Sequence, residues 1–336
     1  MNRYELIKQI EDYINNKGLC KNLNINNSFV VNFLAQGEYN INFTIDDGST
    51  KYVFRINTGS QIEVENQIKY EYDALKVLEV SEVTPKVYYI DDSKEIIPYG
   101  LLIMEFLEGT PLKYDTDLLK AANIFSRIHS IDISGNRYSN FIIEENLFSD
   151  RIKEGERLLK EFFMSPIPST GLKRFFNNYL DWCYKNKSKE KYFSENKFHV
   201  INNTEVNSHN FIIGEKAYLI DWEKPVISDP CQDLTQFLAP TTTLWRSNYI
   251  LSKGEKQAFI KAYAANINRP TMDIEERIRL YNPYLYLRAL SWCAYAYVEY
   301  QKEDKIIKNN DTFKKIEMYL EENFLRSLLE EYNVGF

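Results

Sequence analysis

The chain has 336 residues, a hydrophobic share of 44% and a formal charge of −7. That length allows two domains or lobes, and the acidity argues against a nucleic-acid partner while suiting a neutral or cationic small molecule. No apolar run approaches a membrane span, the polar start Met1-Asn2-Arg3-Tyr4-Glu5 lacks the core of a signal peptide, and Cys20, Cys183, Cys231 and Cys293 form no CxxC pair. Free thiols in a reducing compartment, and hence a cytoplasmic protein without a membrane partner, are the expectation. His129, His199 and His209 have no HExxH spacing, so zinc chemistry is not expected.

Tyr4 to Asn15 reads as an amphipathic helix with Leu6, Ile10 and Ile14 on one stripe, and Gly18 lies beyond its end. Strands follow at Phe29–Leu34 and Asn40–Ile45. Gly37, in the connection Ala35–Tyr39, permits a tight turn and close approach of a ligand to the backbone, although a plain hairpin needs no more. Asp46–Ser49 is a further hairpin turn. The strand Tyr52–Ile56 embeds one cation, Arg55, among apolar residues. The helix Asn66–Leu78, with Ile68, Tyr72, Leu75 and Leu78 as its stripe, carries Glu71. Glu71 and Glu65 are rival partners for Arg55, and a surface arginine is the plainer alternative. A turn and strand over Thr84–Ile90 and an apolar strand over Leu101–Phe106 complete this part. Gly109 and Pro111 then mark a linker at 107–112.

The rest is mostly helical in pattern: Thr116–His129, Asp150–Phe163, Gly171–Lys185, Glu255–Ala265, Asn282–Gln301 and Asp311–Glu331, with polar loop at 133–148 and a proline-marked break at Met164–Thr170. His129 reads as a buried, hydrogen-bonded residue. Aromatic residues crowd the Asn282–Gln301 segment. An aromatic there could stack on a cationic amine, with Glu299 and Glu303 as nearby acids, while core packing explains any single one of them as well. One stretch interrupts the helices. Phe211–Ile213 and Tyr218–Ile220 read as two short strands turning at Gly214-Glu215-Lys216. That hairpin brings Asn210 and Asp221 together, with Glu205 on the loop just before. An amide oxygen and a carboxylate are hard ligands suited to magnesium. A neighbouring carboxylate can orient a hydroxyl and take its proton in phosphoryl transfer. The same residues also serve as turn formers that satisfy their own backbone.

Asn203-Thr204-Glu205-Val206-Asn207-Ser208-His209-Asn210 followed by Ile220-Asp221-Trp222-Glu223 resembles the catalytic loop and metal-binding strand of the aminoglycoside phosphotransferase and choline kinase superfamily, which shares the protein-kinase fold. The segment Asp229-Pro230-Cys231-Gln232-Asp233-Leu234 is similar to the family's bracing Asp-Pro-x-x-Asp-Leu. Two positions depart from the pattern His-x-Asp-x-x-x-x-Asn: Asn203 stands where the family has His, and Glu205 where it has the catalytic Asp. Glu keeps the carboxylate and adds one methylene of reach.

The resemblance implies an α+β, bilobal protein-kinase-like fold. A small N-terminal antiparallel sheet lobe with a helix would span 1–106, a hinge 107–112, and a larger, mostly helical catalytic and substrate lobe 113–336. It implies ATP or GTP with Mg2+ as cofactors. Gly37 would lie in the nucleotide loop. Arg55, braced by Glu71, would touch phosphates. Backbone of Glu105 to Leu107 would meet adenine with Met104 beside the ring. Asn210 and Asp221 would hold magnesium, and Glu205 would act as the catalytic base. The implied activity is an ATP-dependent small-molecule kinase acting on a hydroxyl. Net acidity and aromatic content tilt the acceptor toward an aminoglycoside or choline-like cation. Nucleotide and acceptor are the expected partners of a monomer or weak dimer. Two readings compete: a kinase-fold protein that binds nucleotide without transferring phosphate, and a purely structural helical protein.

Overall fold

The computed structural model describes residues 3–60, 62–135, 138, 140–269, 273–302 and 309–335. The chain is a mixed α+β protein of two compact units. One comprises Met1–Leu112, Ser130–Ile142 and His209–Val226; the other comprises Lys113–His129, Ile143–Ser208 and Ile227–Phe336.

The first unit opens with helices α1 (Arg3–Asn16) and α2 (Leu19–Leu23). It continues through strands β1 (Val30–Gln36), β2 (Asn40–Asp46) and β3 (Lys51–Asn57), helix α3 (Gln67–Leu78), and strands β4 (Val87–Asp91) and β5 (Gly100–Glu105). The sheet is antiparallel with order β1-β2-β3-β5-β4. Its alternation buries Phe43, Ile45, Phe54 and Ile56 against Leu6, Ile10, Tyr13 and Ile14 of α1. The short helix α2 was not legible in the sequence. Asn66 caps α3 rather than starting it, its side chain accepting from the Lys69 amide at 3.1 Å. The buried stripe of α3 keeps the expected Ile68, Leu75 and Leu78 and adds Glu71 and Ala74, while Tyr72 is half-buried. An acid can occupy that stripe only with a partner, and it has one. A short strand, β6 (Thr110–Pro111), pairs with Phe211–Ile213, which pairs in turn with Ala217–Leu219.

The second unit is helical: α4 (Tyr114–His129), α5 (Leu147–Met164), α6 (Thr170–Asn186), α7 (Lys191–Glu195), α8 (Cys231–Leu238), α9 (Pro240–Arg246), α10 (Lys253–Asn266), α11 (Ile274–Glu299), α12 (Asn310–Leu320) and α13 (Glu322–Leu329). Gly155 lets α5 pack close along α11, since a Cβ there would lie 3.1 Å from Leu287 Cγ. The helix expected from Asn282 begins at Ile274 and runs through Pro283. Burial of Ile274, Arg277, Ile278 and Tyr281 outweighs the one hydrogen bond that proline removes. The single helix expected over Asp311–Glu331 is divided at Glu321, which is extended (ψ 137°), so that Tyr319 and Phe324 stack at 4.8 Å. Among the described residues no helix is long and apolar enough to cross a membrane. Glu303 lies outside the described residues.

Candidate active site

Arg55 sits in β3 between the buried Phe54 and Ile56 and is itself 8% exposed. Its Nη1 donates to the Glu71 carboxylate, its Nε donates to Asn42 Oδ1 at 3.0 Å, and Nη1 lies 3.5 Å from Asp221 Oδ1. Glu65, the rival partner, is exposed. Burial works against the charge on Arg55, but Glu71, Asp221 and Glu223 outweigh it and hold the guanidinium above its ordinary value. Burial pushes the Glu71 carboxyl up to about 7, against the pull of Arg55. Nε and Nη1 are thus committed to Asn42 and Glu71, so a phosphate oxygen would be met by the donors that remain.

The hairpin supplies the second part. The Ile220 amide donates to Asn210 O at 2.8 Å, extending the ladder one pair beyond Phe211 and Leu219. Asn210 is thereby drawn next to Asp221. Asp221 does not end a strand as expected. It adopts φ 64°, a left-handed conformation that Asp tolerates better than most residues. Trp222 is fully buried and its indole N–H donates to Leu219 O at 2.9 Å, which pins the backbone between Asp221 and Glu223. Glu223 is tied down at both ends: its carboxylate accepts from Asn40 Nδ2, and its carbonyl from Gln67 Nε2. The part-exposed Asp221 carboxylate is a hard oxygen ligand beside a paired cation, the kind of donor that suits a magnesium ion that keeps several waters.

The second unit carries Glu205. Asp233, in the first turn of α8, accepts from the Asn203 amide at 2.7 Å and the Thr204 amide at 2.8 Å. Thr204 has φ 67°, a strained conformation for a β-branched residue, and the Asp233 clamp holds it there. Asn203 Oδ1 accepts from the Glu205 amide at 3.0 Å. The residue that stands where the family has histidine thus braces the loop together with Asp233. His129 is fully buried, with Nδ1 3.0 Å from the Tyr263 hydroxyl and Nε2 3.8 Å from Asp233. His209 is exposed. Sequence reasoning missed one support of this region: Asp229 forms a buried ion pair with Arg277, whose guanidinium is shielded from solvent by Tyr192, Phe193 and Phe198. The signal was weak, since Arg277 lies before the point where the helix was expected to begin.

Gly37 is not in the left-handed region, and a Cβ there would meet nothing closer than Asn40 O at 3.9 Å. The turn is a tight loop closed by the Gly37 amide to Asn40 O at 2.9 Å, so glycine is not demanded by its backbone. Met104 is buried in β5 opposite Val53 and Val87. The Glu105 amide already donates to Lys86 O at 2.8 Å. Leu107 is half-buried.

No curated protein matches the sequence. Solved structures do match in fold. Spectinomycin phosphotransferase in complex with ADP and spectinomycin is 13% identical, with a TM-score of 0.61 over 93% of this chain and 95% of that one. Choline kinase from Cryptosporidium parvum is 15% identical, with a TM-score of 0.63 over 94% and 96%. An ethanolamine kinase of Plasmodium vivax is 20% identical, with a TM-score of 0.58 over 89% and 83%. The antiparallel sheet of the first unit and the helices of the second are thus those of a kinase-like fold. The family model described as the phosphotransferase enzyme family matches residues 30–273, which include β1 to β6, the Asn203–Asn210 loop, the hairpin and α8. The chain therefore belongs to the phosphotransferase enzyme family.

Proposed function

We propose that the protein is an ATP-dependent kinase that transfers the γ-phosphoryl group to a hydroxyl of a small, cationic acceptor. The observation that carries this reading is Arg55, buried between Glu71 and Asp221. It joins a phosphate-binding cation and a metal-binding acid in one place. Asn210 and Asp221 would hold magnesium, which when bound neutralises phosphate charge. Arg55 binds phosphate oxygens. Glu205 accepts the acceptor's proton from a loop whose backbone is fixed by Asp233 and Asn203. Positioning and electrostatic stabilisation supply most of the rate in such a reaction. The net charge of −7 supports a cationic acceptor of the aminoglycoside or choline type.

Phosphorus NMR of ATP and magnesium with a panel of aminoglycosides, amino alcohols, sugars and nucleosides tests this. A new phosphoester signal with one acceptor is expected. Glu205, one methylene longer than the aspartate it replaces, motivates the second reading, nucleotide binding without transfer. Bound nucleotide with no ester, and an ester that appears in Glu205→Asp, would establish that reading instead.

A further inference from the structure

Asn40 looked in the sequence like nothing more than the first residue of a strand. In the structure it is 5% exposed, and both ends of its amide are committed. Nδ2 donates to the Glu223 carboxylate, and Oδ1 accepts from Asn57 Nδ2 at 3.0 Å. Its carbonyl closes the turn by accepting from the Gly37 amide at 2.9 Å. Asn57, at the end of β3, also donates to Tyr39 O at 3.3 Å and to Gly59 O at 2.8 Å. The Thr58 amide adds a bond to Tyr39 O at 2.8 Å. The tip of the turn is thus fastened to β3, and Asn40 links that fastened tip to the carboxylate two residues beyond Asp221. A buried amide satisfied at both ends fixes the groups on either side of it, because moving one leaves a polar atom unpaired.

We propose that Asn40 is a positioning residue for phosphoryl transfer: through Glu223 it sets the metal-holding segment against the Gly37–Asn40 turn, and Asn57 holds Asn40 in the orientation that does so. The inference rests on the functional reading above. A scaffold role for Asn40 would affect only how firmly the turn is held. A positioning role shows in how nucleotide affinity depends on magnesium.

The test uses the full chain in four forms: wild type, Asn40→Ala, Asn40→Asp and Tyr52→Phe. Tyr52, in β3 of the same sheet, donates its hydroxyl to Leu23 O at the end of α2 at 2.8 Å, so Tyr52→Phe controls for lost stability. The measurements are melting temperature, dissociation constant of a fluorescent ATP analogue at graded magnesium, and kcat and KM once an acceptor is known. Asn40→Ala should weaken magnesium-dependent nucleotide binding about tenfold, the loss expected from one charge-assisted hydrogen bond. Asn40→Asp has nearly the same shape and sets a second carboxylate against Glu223. It should bind nucleotide more weakly still at low magnesium and recover as magnesium rises. Tyr52→Phe should melt lower with its magnesium titration unmoved. Asn40 variants that melt lower yet stay within twofold of wild type in affinity at every magnesium concentration would overturn the proposal, and the isosteric Asn40→Asp keeps it decidable where Asn40→Ala fails to fold. A wild type that binds no magnesium nucleotide would instead remove the functional reading itself, and this inference with it.

Discussion

Arg55 and Glu71 show how much one pair of residues can say. A lone arginine in an apolar strand and a lone glutamate on a helical stripe each break the pattern around them, and each break explains the other. Glu71 also carries a pH signature. Its folded-state carboxyl is raised from 4.5 to about 7, so between those values the folded protein holds a proton that the unfolded chain releases. The contribution of Glu71 to stability is therefore most favourable at low pH, declines as pH rises through that window, and is level above it. Urea unfolding of wild type and Glu71→Gln from pH 5 to 8 should show wild type losing ground to the variant as pH rises to 7. A difference independent of pH would show that the carboxyl is not raised.

Beside the buried cores, a few close contacts between secondary-structure elements tolerate little change. Gly214, in the hairpin turn, is one: a Cβ would fall 2.4 Å from Glu108 O, which is backbone and cannot swing aside. Gly214→Ala should cost about 2 kcal/mol or more, read as a lower urea midpoint with unchanged slope. The clamp between α8 and the Asn203–Glu205 loop is another. Asp233→Ala leaves two buried amides without their acceptor, each worth roughly 1–3 kcal/mol. It also releases Thr204 from a strained φ. Beyond the stability loss, kcat should fall by more than KM for ATP rises, because the loop carries the proposed base while Arg55 and Asp221 lie elsewhere in the chain. Equal changes in both would argue against Glu205 as the base.

At the scale of the whole molecule the discriminating property is nucleotide linkage. A ligand that binds only the folded state stabilises it by about 2.7 kcal/mol at one hundred times its dissociation constant. ATP with magnesium should raise the melting temperature by several degrees, ATP with a chelator by less, and Asp221→Asn should close the gap between them. A purely structural helical protein would show no shift under any of these conditions. The substitution is a fair probe because Asn, like Asp, accepts the left-handed backbone at position 221.

The sequence by itself determined the elements and the chemistry they carry. Hydrophobic period placed α1, strands β1 to β5 and several of the longer helices, because burying a face repeats every two or every three to four residues whatever the tertiary context. The spacing of Asn210 and Asp221 made their approach legible, because a short hairpin fixes which residues meet across it. Tertiary structure decided the rest. Only packing could carry α11 through Pro283, divide the terminal helix at Glu321, or turn α3 so that Glu71 faces inward, since those outcomes depend on what each surface is buried against. Only three-dimensional contact could give Asn40 and Arg277 their partners, because a hydrogen bond or ion pair between residues far apart in the chain leaves no local period to read.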